Sequence, residues 1–399
     1  MPPDDGRPPS ETIAVEIVER LADLEADDWN ALSGGRYPFL RHEFLSAAET
    51  TGCVSPEAGW SPVHLVLRNS DGRIRAAMPL YQKTHSWGEF VFDWAWANAY
   101  ERAGLSYYPK LVSAAPFTPA PSPRLLLADP EDESAALALA HGAVHLAGEL
   151  GYSSLHVQFP LQSETSTLEA AGLQLRKDCQ FHWHNRGYSS FDDFLATFSS
   201  KKRKKARRDR RTVAEQGITF RWLKGHEMDE SIWRDVYELI SMTFLRRGSM
   251  PYYNLDFFRE VSARMPESIL VVLAEKGGES IAAAVYYCSD TAIYGRYWGS
   301  DGHYDALHFE TCYHQGIEYC IREGKQLFEP GTQGEHKISR GFVPVHTWSA
   351  HWLARPEFFA AVTEYLESES RHIDNYVDHL RGRTPYRQNP NELQDDTEA

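Results

Sequence analysis

Cysteine is sparse, with five in 399 residues, at positions 53, 179, 288, 312 and 320. None stands in a Cys-x-x-Cys pair and no Cys/His spacing matches a zinc site, which excludes a disulfide framework or a structural metal as the organising device. An odd number of scattered thiols points to a reduced, cytoplasmic protein. His141 and His145 stand one helical turn apart with no third ligand in view, so no metal is expected there either. Long apolar runs are missing too: no stretch approaches the roughly 18 residues of a membrane span. The opening "MPPDDGRPPSE" has no apolar signal segment, and it and the closing "RQNPNELQDDTEA" read as disordered tails, residues 1–11 and 381–399. No tightly bound cofactor is expected.

Positive charge is scarce outside one block. The net charge of −15 makes most of the surface repel nucleic acid and anionic lipid. "KKRKKARRDRR", residues 201–211, carries nine Lys/Arg and one Asp. A helix is expected over 199–216, with Lys201, Lys204, Lys205, Arg208 and Arg211 on one face and Arg207 on another beside Arg203 and Arg210. Such a helix either projects into water or grips phosphate, and a tRNA acceptor stem suits it as a partner.

What is present in quantity is apolar residue, 42% of the chain, enough for two globular cores. The sequence also shows a duplication. "VHLVLRNSDGRIRAAMPLYQ" reads as a hairpin turning at Asp71-Gly72, and "LVVLAEKGGESIAAAVYYCS" as another turning at Gly277-Gly278. Each is followed by a helix, a glycine (Gly151, Gly324) and a strand. Hairpin, helix, strand is a mixed α/β (α+β) order, mostly antiparallel with one crossover per half. The expected division is 12–186 and 187–380. The first half carries an insert, 86–120, with Trp87, Phe90, Phe92, Trp94, Trp96, Tyr100, Tyr107 and Tyr108 among the polar residues Glu89, Asp93 and Lys110. That mixture reads as a substrate groove or as a packed lid between the halves.

Two further stretches gather chemistry. "FEPGTQGEHKISRGF", residues 328–342, sets Gln333, Glu335, His336, Lys337 and Arg340 directly after a Gly-containing turn. "YGRYWGSDGHYDALHFE" places Arg296 and Trp298 on one face of a strand, with His308 and Glu310 at a helix start. A solvated turn and a half-buried strand are the structural alternatives.

The strings "PFLRHEFLSAAETTG", "EFVFDWAWANAYERAGLSYYPKLVSAAPFTP", "YGRYWGS", "HFETCYHQGIEYCI", "EPGTQGEHKISRGFVPV" and "SAHWL" resemble the FemAB-like family of N-acyltransferases linked to peptidoglycan biosynthesis or recognition, over roughly residues 37–370. The resemblance implies two tandem GNAT-like modules and acyl or aminoacyl transfer to an amine, the acceptor a peptide, a cell-wall precursor or a small molecule. It leaves the donor open between aminoacyl-tRNA and acyl-CoA, and no Q/R-x-x-G-x-G/A pyrophosphate turn is present. Amine acylation needs a base and oxyanion donors. His336, with Glu335 as rival or partner, is the expected base. Arg296, Trp298, His308, Glu310, Gln333, Lys337, Arg340, Glu89, Asp93, Tyr107 and Lys110 are the expected substrate contacts. A binding module for peptide or RNA, without chemistry, is the competing reading.

Overall fold

The computed structural model describes residues 14–387 apart from Gln333. The tail at 1–11 and the last part of that at 381–399 therefore lie outside the described residues, as does Gln333. Strands of the first half are β1 (Val15–Val18), β2 (Trp60–Pro62), β3 (His64–Arg68), β4 (Ile74–Met78), β5 (Tyr81–Lys83), β6 (Lys110–Ser113), β7 (Leu126–Leu127), β8 (Ser154–Gln158) and β9 (Gln174–His184). Those of the second are β10 (Ile218–Lys224), β11 (Ile269–Lys276), β12 (Glu279–Cys288), β13 (Ala292–Ser300), β14 (Leu327–Glu329) and β15 (Val343–Leu353). They form a small sheet, β1-β3-β4-β7, and a sheet of eleven strands, β10-β11-β12-β13-β14-β9-β15-β8-β6-β5-β2. All neighbours are antiparallel except β13 with β14 and β6 with β8.

Both expected hairpins form, β3–β4 around Gly72 and β11–β12 around Gly277 and Gly278, all three glycines at positive φ. Their alanine pairs, Ala76-Ala77 and Ala283-Ala284, are buried and let the helices above approach closely. Gly151 and Gly324 stand just past helices Glu133–Glu149 and Gln315–Glu323 at φ 66 and 68, a helix stop that only glycine supplies without strain.

The two halves are not laid side by side. β9, the last strand of the first half, sits between β14 and β15, and β15, the last of the second, sits between β9 and β8. Nine residue pairs join β9 to β15, from Val343↔His182 to His351↔Gln174. Each half thus completes its sheet with the other's final strand. Helix Phe191–Ala196 follows, its N-cap Ser190 accepting from the Asp193 N–H, with Phe191, Phe194, Leu195 and Phe198 in the core beneath. Residues 383–387, assigned to the tail by composition, run back across this region: Ser199 donates to Pro385 O (2.9 Å), and the Tyr386 ring meets Phe198 edge-on.

Candidate functional site

β13 and β14 run parallel for only three pairs, ending at Tyr294↔Glu329. Pro330 cannot donate to the ladder, and the chain turns away through Gly331 (φ 91) and Gly334 (φ 119). β13 continues to Ser300, paired with β12 on its other edge only. The gap is filled by side chains of the segment that left, a short 3₁₀ turn, Glu335–Arg340. Arg296 Nη2 donates to Glu329 Oε1 (2.8 Å), and its guanidinium lies over Phe39 (4.9 Å), so it anchors the end of β14 from inside. Lys337 is buried, and its Nζ donates to Gly331 O (2.6 Å). No other partner for that ammonium exists among the described residues. Burial pushes Lys337 down to about 7, against the pull of Glu329 and with the push of Arg296.

Arg340, also buried, stacks on Phe309 (3.4 Å) and donates to His336 O (2.6 Å). His336 is exposed, with Nε2 2.9 Å from the Tyr313 hydroxyl. Partial burial and the cations Arg340 and Lys337 lower its affinity for a proton, so the ring is neutral at pH 7. His308 packs between Trp298 (5.3 Å) and His336 (6.4 Å) and is pushed to about 4, first by burial and then by His336, Arg340 and Lys337. Beside them opens a cleft of about 570 Å³, lined by Trp298, Ser300, Tyr304, Leu307, His308 and Phe309. The structure therefore brings together Arg296, Trp298, His308, His336, Lys337 and Arg340.

Two expected neighbours point elsewhere. Glu335 is exposed and accepts from Tyr376 OH (3.0 Å) and Arg383 (3.1 Å), fastening the turn to the C-terminal helix Pro356–Arg381. Glu310 is buried at the start of a π-helical turn, Glu310–His314, and holds Arg210 (3.1 Å), Gln315 (2.8 Å) and His314 (2.8 Å).

Glu89, Asp93, Tyr107 and Lys110 form a separate, closed cluster, each at most 4% exposed. Lys110 Nζ donates to Ser86 Oγ (2.8 Å), Glu89 Oε2 (2.9 Å) and Asp93, using all three of its protons. Tyr107 OH donates to Asp93 (2.7 Å) and meets His156 Nε2 (3.0 Å), and His156 continues through His351 (2.6 Å) to Ser349 (2.8 Å). Lys110 holds Asp93 well below the usual carboxylate range, although burial alone would raise it. Glu89 keeps one oxygen unpartnered and is pushed up by burial. Lys110 is the counter-charge to Asp93, and burial disfavours a second negative charge on Glu89, which is what lets the cluster be dry. As placed, these side chains meet each other rather than a ligand.

A model of the FemAB-like family, described as peptidoglycan biosynthesis/recognition, matches residues 20–388. The chain belongs to the FemAB-like family. That membership sets it among proteins described by peptidoglycan biosynthesis or recognition. The fold resembles that of FemX (TM-score 0.51, 10% identity, 80% of this chain and 93% of that one). It also resembles the C-terminal domain of a protein assigned as a lysylphosphatidylglycerol synthetase from Agrobacterium fabrum (TM-score 0.50, 12% identity, 84% and 95%). The comparison with curated proteins gives no match. No helix among the described residues is long and apolar enough to cross a membrane.

In this FemAB-like chain the basic block is the helix Ser200–Glu215, and Lys201, Lys204, Lys205, Arg207, Arg208 and Arg211 are all exposed. The helix does not stand wholly in water, however. Ala206 and Val213 are buried, and Arg210 turns inward over Phe191 (4.3 Å) to Glu310 and Glu318. Arg207 pairs with Asp192 and Arg211 with Glu215, whereas Lys201, Lys204, Lys205 and Arg208 make no ion pair among the described residues. Among those residues no group of His, Cys, Asp or Glu suits a metal. Sequence reading missed Glu329, Tyr313 and Phe309, which respectively anchor Arg296, bond His336 and carry Arg340. All three lie inside quoted family strings, but only the packing assigns them these tasks.

Proposed function

We propose that the protein transfers an aminoacyl group from aminoacyl-tRNA to the amine of a peptide or cell-wall precursor, with the donor carbonyl at the opening between β13 and β14. The observation that carries this is Lys337: a buried ammonium with one partner among the described residues, where two parallel strands part behind the cleft that His308 and Phe309 line. Its free N–H groups suit the oxyanion that forms when the amine nitrogen attacks the donor ester carbon. Neutral His336, oriented by Tyr313, takes the proton from the attacking nitrogen and returns it to the departing ribose oxygen as the ester C–O bond breaks. Lys201, Lys204, Lys205 and Arg208 supply an exposed cationic row on an otherwise acidic protein, which favours an RNA carrier over a small thioester.

Radiolabelled donors test the reading directly. Transfer that RNase abolishes is the expected result. RNase-resistant transfer with stoichiometric release of free CoA would replace the carrier by a thioester, and no transfer from either donor class would remove the reading. Separately, a variant with Lys201, Lys204, Lys205 and Arg208 all changed to Glu is expected to bind tRNA weakly. The slope of log K against log salt should be shallower by about 3–3.5, at roughly 0.7–0.9 per phosphate contact for four contacts. Superimposable isotherms for variant and wild type would take this helix out of RNA binding.

A further inference from the structure

A second cavity, about 320 Å³, lies on the other side of the Gly331–Gly334 turn, at the lower end of the roughly 300–1,000 Å³ that ligand pockets span. It is composite. Phe90, Phe92 and Phe159 come from the first half, Asp178 from the exchanged strand β9, Tyr376 from the C-terminal helix and Gly334 from the turn that precedes His336. Two of the three phenylalanines are held at positive φ, Phe90 at 60 and Phe159 at 51, where residues with a Cβ are uncommon. Phe92 is 56% exposed, a large apolar ring left in water at the rim.

Asp178 is the acid in this wall. Its Oδ1 accepts from the Cys179 N–H (2.7 Å), and Oδ2 has no donor among the described residues. Arg176, two residues earlier on the same face of β9, is committed elsewhere: it pairs with Glu369 (2.7 and 2.8 Å) and donates to Phe92 O (2.8 Å). The Tyr376 hydroxyl is likewise given to Glu335. A carboxylate facing a cavity of rings, with its neighbouring cation occupied, is complementary to a cation with a flat body. The protein around Asp178 displaces enough water to push its carboxyl up even though the residue is accessible, and a bound cation reverses that push.

We infer that this cavity is the acceptor subsite, and that it selects a primary amine with a flat apolar or aromatic body, the ammonium on Asp178 and the body against Phe90, Phe92 and Phe159. The inference rests on acyl transfer to an amine and adds the class of acceptor. Gly334 lines this cavity, and a Cβ on it would meet the His336 ring, so one turn borders both the amine site and the expected base.

The test reads binding, not turnover. Phenethylamine, ethylamine and phenylacetate are titrated into the full-length protein by calorimetry and ligand-observed NMR. Phenethylamine is expected to saturate and to bind at least tenfold more tightly than either ethylamine, which lacks the ring, or phenylacetate, which lacks the cation. Asp178→Asn should weaken phenethylamine tenfold or more, and Phe92→Ala, at an exposed ring, several-fold. Lys337→Met should leave it unchanged. No saturation by phenethylamine in the wild type, or equal affinity in Asp178→Asn, overturns the inference. Asp178-dependent binding in a protein that accepts no acyl carrier would keep the amine site and sink the transfer reading alone.

Discussion

Lys337→Met should lose transfer activity by about 10²–10³-fold, the usual effect of removing one oxyanion donor, while leaving a protein more stable than wild type at neutral pH. The stability half follows from the buried ammonium. The ordinary lysine value is 10.5 and the folded value about 7. Between the two, the unfolded chain holds the proton and the folded chain does not, so wild-type stability rises with pH across that window. Below about 7 the whole penalty of burying the charge is in force. The difference sets an upper limit of roughly 5 kcal/mol. Loss of the bond to Gly331 O returns about 1 kcal/mol. Relaxation around a real charge lowers the rest, so a gain of about 2 kcal/mol is expected below pH 7, narrowing as the pH approaches 10. Wild-type turnover should correspondingly decline as pH rises through about 7, where the ammonium is lost. Denaturant titrations at pH 6 and pH 9, paired with single-turnover rates, check both halves. A variant that turns over normally, or whose midpoint falls at pH 6, would contradict this account of Lys337.

The opposite result is expected from Lys110→Met. Lys110 is fully buried and gives its three protons to Ser86, Glu89 and Asp93. Removing it leaves Asp93 ionised without its counter-charge, with Tyr107 as its remaining donor, and Glu89 with Gln158 alone, a loss of about 3–5 kcal/mol. Asp93 is held well below the carboxylate range mainly by Lys110, so in the variant it returns upward and takes a proton as the pH falls. The deficit should therefore be largest near pH 8 and shrink towards pH 5. Adding Glu89→Gln and Asp93→Asn to Lys110→Met removes the stranded charge and should recover most of the loss. Chemical denaturation of the single and triple variants at both pH values decides it. A single variant within about 1 kcal/mol of wild type, or a triple variant no better than the single, would mean the cluster does not carry the charge balance assigned to it.

These two lysines also mark how far the sequence could be read. The hairpins at Asp71-Gly72 and Gly277-Gly278 and the glycine stops at Gly151 and Gly324 were legible because turn chemistry is local. The loop at 328–342 could be singled out because it collects charge after glycines, and three of its expected residues, His336, Lys337 and Arg340, gather beside His308 and Phe309. Burial was not legible. Charged residues in a loop read as solvent-facing, and what encloses Lys337 and Arg340 is Phe309 and Glu329, brought in from a helix and a strand end. Lys110 among tyrosines and tryptophans read equally as part of a groove or of a packed lid. Only the placing of Glu89 and Asp93 on the same ammonium shows a closed, buried cluster. Arg210 sits in a run of identical-looking cations, yet it turns inward to a buried carboxylate, because Glu310 and Glu318 present their carboxylates one and three turns along another helix. Asp178 is a single acid in a strand, and nothing local distinguishes it from a solvent-facing residue.

The exchange of β9 and β15 was the least legible feature, since either strand would fit at the edge of its own half. It also fixes how the molecule can move. With each lobe's last strand hydrogen-bonded inside its neighbour, no hinge exists about which one lobe can swing away without tearing nine paired rungs of backbone. Admission of a bulky acceptor therefore falls to the loops, those around Phe90 and Gly334, while the sheet behind them stays a fixed frame.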